Sequence, residues 1–140
     1  MIRRLARRRR RGAVLIEFVV VLPVFLLLLL GAIDWGWYFV LRQATLNAVR
    51  EGARVGSVQN TPGAAPAAAQ VAVADYLTRA GLRAYASTAT LATVTVGGAP
   101  VTVIQVGLVG YPAGSITGFT PTRVPATLTA QAVMRLEIQP

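Results

Sequence analysis

The chain has few side chains that could carry out chemistry: five acidic residues, no histidine and no cysteine. Without histidine and cysteine, the usual zinc sites, general bases and thiolate nucleophiles cannot be built. The sequence also lacks a glycine-rich phosphate loop of the usual form. The composition therefore predicts a protein that is not an enzyme and that holds no metal and no cofactor.

One of the acids, Glu17, stands where a carboxylate is energetically expensive. It interrupts an apolar run over residues 13–33. As a helix, this run would be about 31 Å long at about 1.5 Å per residue, which matches a hydrocarbon core of about 30 Å. An ionised carboxylate in such a span needs a partner or a purpose. One interpretation is that Glu17 lies about one turn into the helix, where Arg10, Arg11 and the helix dipole tolerate it.

The basic residues predict how this span is oriented. The net charge is +9, and seven of the arginines lie within the first eleven residues. Because the next basic residue after the span is Arg42, the positive-inside rule places the N-terminus in the cytoplasm and the rest across the membrane. Asp34, Trp35, Trp37 and Tyr38 follow the span, as expected where a helix leaves lipid.

Three other interpretations of the N-terminus are a cleaved secretory signal, a plain membrane anchor and a nucleic-acid-binding tail. A cleaved secretory signal has an apolar core of about 7–15 residues and a small-x-small site, whereas Gly31 and Ala32 are adjacent. A plain single-pass anchor fits the length but leaves Glu17 without a purpose. An arginine tail could bind nucleic acid, but a basic run beside a span is far more often a topology signal. No nucleic acid partner is therefore expected.

The stretch from Gly12 to Phe18, GAVLIEF, resembles the processing site of type IV-like prepilins. The resemblance implies that a prepilin peptidase cuts after Gly12, so that the mature chain begins at Ala13. Cleavage would remove the leader arginines and create a positive α-amine, with which Glu17 of the same or a neighbouring chain could pair in a helix bundle. Gly12 and Ala13 are then the processing site, and Glu17 and Phe18 are the expected recognition and assembly residues.

A longer stretch, residues 12–57, resembles the N-terminal signature of TadE-like proteins, which are minor pilins or pseudopilins of tight-adherence (Tad, Flp-type) pili. The family often has alanine where this chain has Gly52. Because major Flp pilins are much shorter, the length favours a minor component. The family implies roles in pilus biogenesis, cell adhesion and biofilm formation. The matching features are Glu17-Phe18, Pro23, the leucine run, Gly31 with Asp34 and Gly36, and Glu51-Gly52-Ala53-Arg54.

One long helix is predicted over residues 13–58, apolar first and amphipathic later. Pro23 lies inside the span, where a membrane helix tolerates the kink that proline produces. After the span, a polar stripe recurs at helical spacing. The opposite stripe is expected to pack on the chain's own domain or on neighbouring subunits; it comprises Leu41, Ala44, Ala48, Gly52 and Val55.

The remaining residues predict a second helix and three strands. Residues 61–66 break the first helix, and the second is expected over residues 67–80. Its expected buried face is Val71, Val73, Ala74 and Leu77. Residues 91–96 and 101–108 predict a hairpin around the turn Gly97-Gly98-Ala99-Pro100.

Irregularities and a loop are predicted after the hairpin turn. The alternation slips between Val103 and Ile104, which indicates either a bulge or a strand buried on both faces. Residues 110–125, rich in glycine and proline, are expected to form a loop. Residues 126–138 predict the third strand, with its even-numbered side chains on the apolar face.

The predicted fold class is α+β and pilin-like, with a small antiparallel sheet of about three strands. The predicted organisation is a basic leader (1–12), a transmembrane helix (13–33), its continuation (34–58), a linker (59–66) and an exported α+β domain (67–140) packed on the continuation. This organisation implies a single-pass protein of the bacterial inner membrane whose C-terminal domain is periplasmic or becomes part of an extracellular pilus.

The function that the resemblance implies is assembly of a Tad-type pilus. The implied partners are the prepilin peptidase, other minor and major pilins, the inner-membrane assembly platform and membrane lipid. The alternative is an uncleaved, membrane-anchored binding module in which residues 110–125 contact a ligand. The two hypotheses differ in whether Gly12 is cut and whether function survives the substitution Glu17→Ala.

Overall fold

The computed structural model describes residues 2–118 and 124–137, with side chains from Val14 onward. The strands among them form one antiparallel sheet in the order β1-β2-β3. The predicted α+β class, with a long apolar helix, a short helix and a three-stranded sheet, is confirmed. The elements are α1 (Ile2–Ser57), α2 (Ala65–Arg79), β1 (Ser87–Val96), β2 (Ala99–Pro112) and β3 (Thr127–Arg135).

Helix α1 ends at Ser57, close to its predicted end, but it extends back to Ile2, well before the predicted start at residue 13. The helix is exposed over residues 14–33 and becomes amphipathic where it enters the domain. From Leu41 onward, its buried positions recur at spacings of three and four, as on the inward face of a helix. They are Leu41, Thr45, Ala48, Val49, Gly52, Ala53, Gly56 and Ser57.

The buried face of α1 is wider than the predicted stripe. The prediction is right at Leu41, Ala48 and Gly52, whereas Ala44 and Val55 are only partly buried. The difference arises because α2 and the sheet cover neighbouring sides of α1 at once. The face that they share therefore includes positions beyond the predicted stripe, such as Val49 and Ala53.

Helix α2 begins after a 3₁₀ turn at Pro62–Ala64, inside the segment predicted as a linker. After its last residue, Gly81 adopts a φ of +72°, which is typical just beyond a helix C-terminus. Its buried residues are Ala65, Ala69, Val73 and Leu77. The prediction of Val73 and Leu77 is right and that of Val71 is wrong, since Val71 is exposed. The face of α2 that packs on α1 contains the small residues Ala65 and Ala69, and Val71 lies outside this face.

The two helices pack closely because glycines of α1 face α2. A Cβ atom at Gly52 would lie 2.5 Å from Val73 Cγ2 and 2.9 Å from the carbonyl oxygen of Ala69. A Cβ atom at Gly56 would lie 3.1 Å from the carbonyl oxygen of Ala65 and from Ala69 Cβ, both in α2, and would collide with Ile104 Cδ1 of β2. Small residues allow helix backbones to approach in this way. The departure from the family pattern at Gly52 is thus explained by its contact with α2.

The hairpin of β1 and β2 is closed by two residues. Val96 lies opposite Ala99, so the turn consists of Gly97 and Gly98, with φ angles of 62° and 85°. Type I′ turns require positive φ at both central positions, which glycine adopts readily. The turn is shorter than predicted because Pro100 pairs with Thr95 within the ladder.

Strand β2 is longer than predicted, and its irregularity lies elsewhere. Val103 and Ile104 pair in regular register, so the predicted bulge is not at this point, and both residues are buried, so the strand is buried on both faces here. The register shifts instead between Val109 and Tyr111, around Gly110. Because the strand continues to Pro112, the loop that was predicted to start at residue 110 begins at residue 113.

The inner face of the sheet packs on the helices. Ile104, Val106 and Leu108 of β2 are fully buried in the core that α1 and α2 share. The even-numbered side of β3 faces the same core, as predicted, through Leu128 and Ala130. The observed strand, Thr127–Arg135, is shorter than the predicted range of 126–138, whose last residue lies outside the described ones.

The domain has two ends along α1, an entry end near Leu41 and a far end near Ser57. The N–H of Glu137 donates to the carbonyl oxygen of Ser57 over 2.8 Å, so β3 finishes at the far end. A groove at the entry end brings Tyr111 beside Leu41. The hairpin turn therefore lies toward the far end, and the segment after β2 returns to the place where α1 enters the domain.

Candidate functional site

The predicted processing and assembly residues lie on one continuous helix. Gly12 and Ala13 belong to α1, though the description of side chains begins only after them. Glu17 is exposed, and Phe18 is 59% exposed. They are neighbours in the first part of the apolar span, far along α1 from the folded domain. The structure therefore brings Glu17 and Phe18 near no part of the described domain.

The apolar part of α1 has no partner among the described residues of the chain. None of residues 14–33 is buried, and Val14–Ser57 is long and apolar enough, by length and composition, to cross a membrane. Pro23 lies inside this stretch, and the helix continues on both sides of it. A surface this apolar is stable only against lipid or against other apolar helices.

A second site, which the sequence did not predict, forms where α1 enters the domain. Asp34 is the first buried residue of the described part of α1, only 1% exposed. The Asp34 carboxylate accepts backbone hydrogen bonds at Oδ1 from Ile116 over 3.0 Å and from Thr117 over 2.9 Å. Its Oδ2 accepts hydroxyl bonds from Ser115 over 2.6 Å and from Thr117 over 2.8 Å. Hydrogen bonds to an ionised acceptor are stronger than neutral ones.

The loop that holds Asp34 is also ordered from within. The N–H of Gly118 donates to Ser115 Oγ over 2.9 Å, and Gly118 has a φ of +70°. This turn aims two hydroxyls and two backbone N–H groups at one carboxylate. We name residues 113–118 together with Asp34 the tethered loop. In the sequence, the detectable signal is an acid directly after the span and a distant Ser-x-Thr-Gly run, but nothing in the sequence pairs them.

An aromatic cluster lies on one side of α1 at the same level. The ring centroids of Trp35 and Tyr38 are 5.6 Å apart, and those of Trp35 and Phe39 are 6.0 Å apart. The sequence predicted Trp35 and Tyr38 as interfacial residues. Amphipathic aromatic rings concentrate where a helix leaves the hydrocarbon for the headgroup region.

A groove beside the tethered loop connects it with the end of α2. Trp37, Arg83, Tyr111 and Ser115 are among the residues that line it. The Tyr111 hydroxyl donates to the carbonyl oxygen of Arg83 over 3.3 Å. Burial raises the pKa of Tyr111, so its hydroxyl remains a neutral donor at physiological pH. The groove thus places an arginine backbone and an aromatic face next to the tethered loop.

Two exposed ion pairs lie along the helices of the domain. Arg54 contacts Glu51 through two bonds, Nε to Oε2 at 2.9 Å and Nη2 to Oε1 at 2.7 Å. The side-chain hydrogen bonding from Arg54 lowers the pKa of Glu51. Arg79 Nη2 lies 3.3 Å from Asp75 Oδ2. The two pairs stand at helical spacings of three and four positions. No group of metal ligands exists among the described residues.

The comparison with known families bears on the first half of the chain. A model of the TadE-like protein family matches residues 12–54. We call these matched residues the TadE-like segment. The TadE-like segment begins at Gly12 and includes Glu17, Pro23, Asp34 and the close helix contact at Gly52. No curated protein and no solved structure gave a match to the chain.

The TadE-like segment contains only one side of the tethered loop. Asp34 lies within it, whereas Ser115 and Thr117 lie in the part that the family model does not match. The match suggests a protein related to Tad pili, and the apolar helix suggests single-pass anchoring in a membrane. The family points to a structural protein and not to a catalyst.

Proposed function

We propose that the protein is a minor pilin or pseudopilin that takes part in assembly of a Tad-type pilus. The observation that carries the proposal is the TadE-like match, which starts at Gly12 and covers the whole apolar span. The start of the match coincides with the glycine after which a prepilin peptidase would cut. Residues 14–33, exposed along their length, provide the apolar surface that a bundle of like helices would cover.

Cleavage after Gly12 would supply a positive group with which the Glu17 carboxylate can pair. It leaves a positive α-amine on Ala13 and a carboxylate about one helical turn away. Two such charges are costly for a lone helix in lipid, and they are better accommodated when helices associate and the charges pair between chains. Phe18 lies beside this pair and provides apolar area for the same contact.

An orientation and a set of partners follow from a pilin role. The leader arginines keep the N-terminus on the cytoplasmic side of the inner membrane, and the domain of residues 67–140 is exported. The partners are then the prepilin peptidase, other minor and major pilins and the inner-membrane assembly platform. A role in adhesion and biofilm formation would follow from assembly into the pilus.

The intact mass of the protein tests this proposal. The protein should be purified from membranes of a host that contains the cognate peptidase. A chain that starts at Ala13 is expected. A chain that still carries Met1 to Gly12 would contradict processing and would favour an uncleaved, membrane-anchored binding module. A chain cut near Ile33 would contradict the anchor itself and would indicate a secreted domain.

A further inference from the structure

We propose that the tethered loop is a second membrane-contact surface, which seats the entry end of the domain in the phospholipid headgroup layer. The lipid-facing side chain is Ile116, and the carboxylate of Asp34 holds the loop at the required depth. This inference rests on the proposed membrane anchoring by α1. It adds a contact through Ile116, which lies outside both the apolar span and the TadE-like segment.

The membrane boundary on α1 is marked by a change in exposure. Residues 14–33 are exposed and, apart from Glu17, apolar or small, whereas Asp34 is buried against the domain. A stretch of this length spans a hydrocarbon core of about 30 Å. An acid and three aromatic residues then follow within five positions. The boundary between hydrocarbon and headgroups therefore lies close to Asp34.

Hydrogen bonds fix the tethered loop at this boundary. The backbone nitrogens of Ile116 and Thr117 lie 3.0 Å and 2.9 Å from Asp34 Oδ1. The hydroxyls of Ser115 and Thr117 bind the other oxygen. A loop held this closely cannot lie in bulk water while Asp34 lies at the membrane surface. The loop shares the depth of Asp34 because its own backbone binds the carboxylate.

The side chains that this surface presents are apolar and aromatic. Ile116 is 58% exposed, although its backbone N–H is bound to Asp34. Trp35 and Phe39 are exposed on α1 at the same level, at 41% and 54%. The headgroup region adds about 5–8 Å on each side of the hydrocarbon core, which corresponds to about three to five residues of a helix at about 1.5 Å per residue. Ile116 and these aromatic rings therefore fall within the headgroup layer.

The distribution of charge at the entry end of the domain also fits the phospholipid headgroup layer. No charged residue lies between Arg83 and Arg123 in the sequence, so the tethered loop presents no charge of its own apart from the bound Asp34. Arg83 lines the adjoining groove with Trp37 and Ser115. An uncharged apolar tip beside an arginine and a tryptophan suits an acyl-chain boundary with phosphate groups above it.

In the membrane-anchored protein before assembly, lipid is favoured over a second copy of the chain because this surface adjoins the span. Each described residue from Val14 to Ile33 is exposed or only partly buried, and Trp35, directly after the buried Asp34, is exposed again. Any bilayer that covers the span therefore reaches the residues next to Ile116. A second copy bound at this point would have to displace that lipid.

Fluorescence quenching from the bilayer tests the proposal on the full chain. The chain has no cysteine, so Ile116→Cys would carry a single environment-sensitive maleimide label. The protein is placed in vesicles of phosphatidylcholine and phosphatidylglycerol that contain lipids spin-labelled near the headgroup. Because position 116 is exposed, the substitution leaves the core intact.

Two matched positions serve as references. Val71→Cys lies on α2, is 66% exposed and lines a groove with Glu51 and Val55. Val71 lies at the level of Glu51, which is about 26 Å beyond Asp34 along α1 at about 1.5 Å per residue. This distance is outside the reach of a headgroup quencher. Leu28→Cys, 70% exposed within the span, reports insertion through lipids that carry the spin label deep in the acyl chain.

The expected result is strong loss of emission for the label at position 116 with the headgroup quencher, and little loss at position 71. Equal, weak quenching at positions 116 and 71, while position 28 is quenched by the deep label, would overturn the lipid contact but leave the anchor standing. Absence of quenching at position 28 would contradict the proposed anchoring and the inference with it. Quenching at position 116 that depends on protein density and not on spin-labelled lipid would overturn the lipid contact in favour of a second copy.

Discussion

Thr117 binds Asp34 twice across 83 positions of sequence, through its N–H to Oδ1 at 2.9 Å and through its hydroxyl to Oδ2 at 2.8 Å. The Asp34 side chain thus joins the end of the apolar span to the segment that follows β2. The acid just after the span therefore has a structural role besides marking the membrane interface. Asp34 holds the segment after β2 against α1.

Removal of the Asp34 carboxylate should loosen the tethered loop. We expect Asp34→Ala to reduce the free energy of unfolding by about 2–3 kcal/mol, because several charge-assisted hydrogen bonds are lost. Asp34→Asn keeps one acceptor oxygen at the same place and should cost less. The measurement is thermal unfolding in detergent, followed by circular dichroism.

A matched control for these variants is Asp75→Asn. Asp75 is 67% exposed and contacts Arg79 at 3.3 Å, so its loss should change stability little. Limited proteolysis adds a local readout, since the Asp34→Ala variant should be cut faster within residues 113–118. A variant as stable and as resistant as the Asp75→Asn control would show that the loop is held by other contacts.

A methyl group at Gly52 should separate the two helices. We expect Gly52→Ala to lower stability by about 1–3 kcal/mol, as overpacking of a close contact does, because the new Cβ meets Val73 Cγ2 and the Ala69 carbonyl. Gly36→Ala in the same helix meets no atom within 4 Å and should be neutral or stabilising by up to about 1 kcal/mol through helix propensity. The comparison is made by thermal unfolding of both variants.

The pair of variants separates packing from helix propensity. If Gly52→Ala were as stable as Gly36→Ala, the close approach of α1 and α2 would be wrong. A partial recovery is expected in the double variant Gly52→Ala/Val73→Ala, because the nearest clashing side chain is then shortened. The Ala69 carbonyl would remain close to position 52.

Features that depend on neighbouring residues could be predicted from the sequence more easily than features that depend on distant segments. The two helices and the three strands follow from local periodicity, and the hairpin turn follows from Gly97-Gly98. The ion pairs at spacings of three and four positions were equally local. Each of these features depends on residues close together in the chain.

The wrong predictions arise where distant segments decide the outcome. Val71 was predicted as a buried residue of α2, but the face that α1 selects is the small-residue stripe with Ala65 and Ala69. The binding of Asp34 by Ser115 and Thr117 depends on the path of the chain after β2, which no local pattern encodes. Tertiary packing overrides local propensity in such cases.

The hairpin turn should tolerate only certain residues. Gly97 and Gly98 both have positive φ, and asparagine at the first position is common in type I′ turns. We therefore expect Gly97→Asn to change stability little and Gly98→Val to destabilise by about 1–2 kcal/mol, because a β-branched residue is strained at positive φ. Thermal unfolding of the two variants measures the difference. Similar melting temperatures would mean that the turn is not of this type.

The ion pair of Glu51 and Arg54 should give a small pH dependence. Arg54 lowers the pKa of Glu51, so the folded state favours the ionised carboxylate. The stabilisation is therefore present above the ordinary pKa of a glutamate, and it is lost as the pH falls through the lowered value. The pair is exposed, so the effect is screened and should disappear at high salt.

This pH effect is measured as a difference between two proteins. The melting temperature of the unmodified chain is compared with that of Glu51→Gln over acidic pH at low salt. The difference should shrink toward zero at low pH, since the carboxylate is then protonated in both states of the unmodified chain. A difference that stays constant with pH would assign the contribution of Glu51 to packing and not to charge.

Variants at Gly12 and Glu17 should separate processing from assembly. Gly12→Leu places a bulky residue at the proposed cleavage site, so the full-length precursor is expected to remain in the membrane. Glu17→Ala leaves Gly12 intact but removes the carboxylate that would pair with the new α-amine, so a cut chain that does not enter pili is expected. Val19→Ala, at a residue 64% exposed in the same stretch, controls for apolar area. Intact mass reports cleavage, and the amount of protein in sheared pili reports assembly; normal pili in both variants would count against a pilin role.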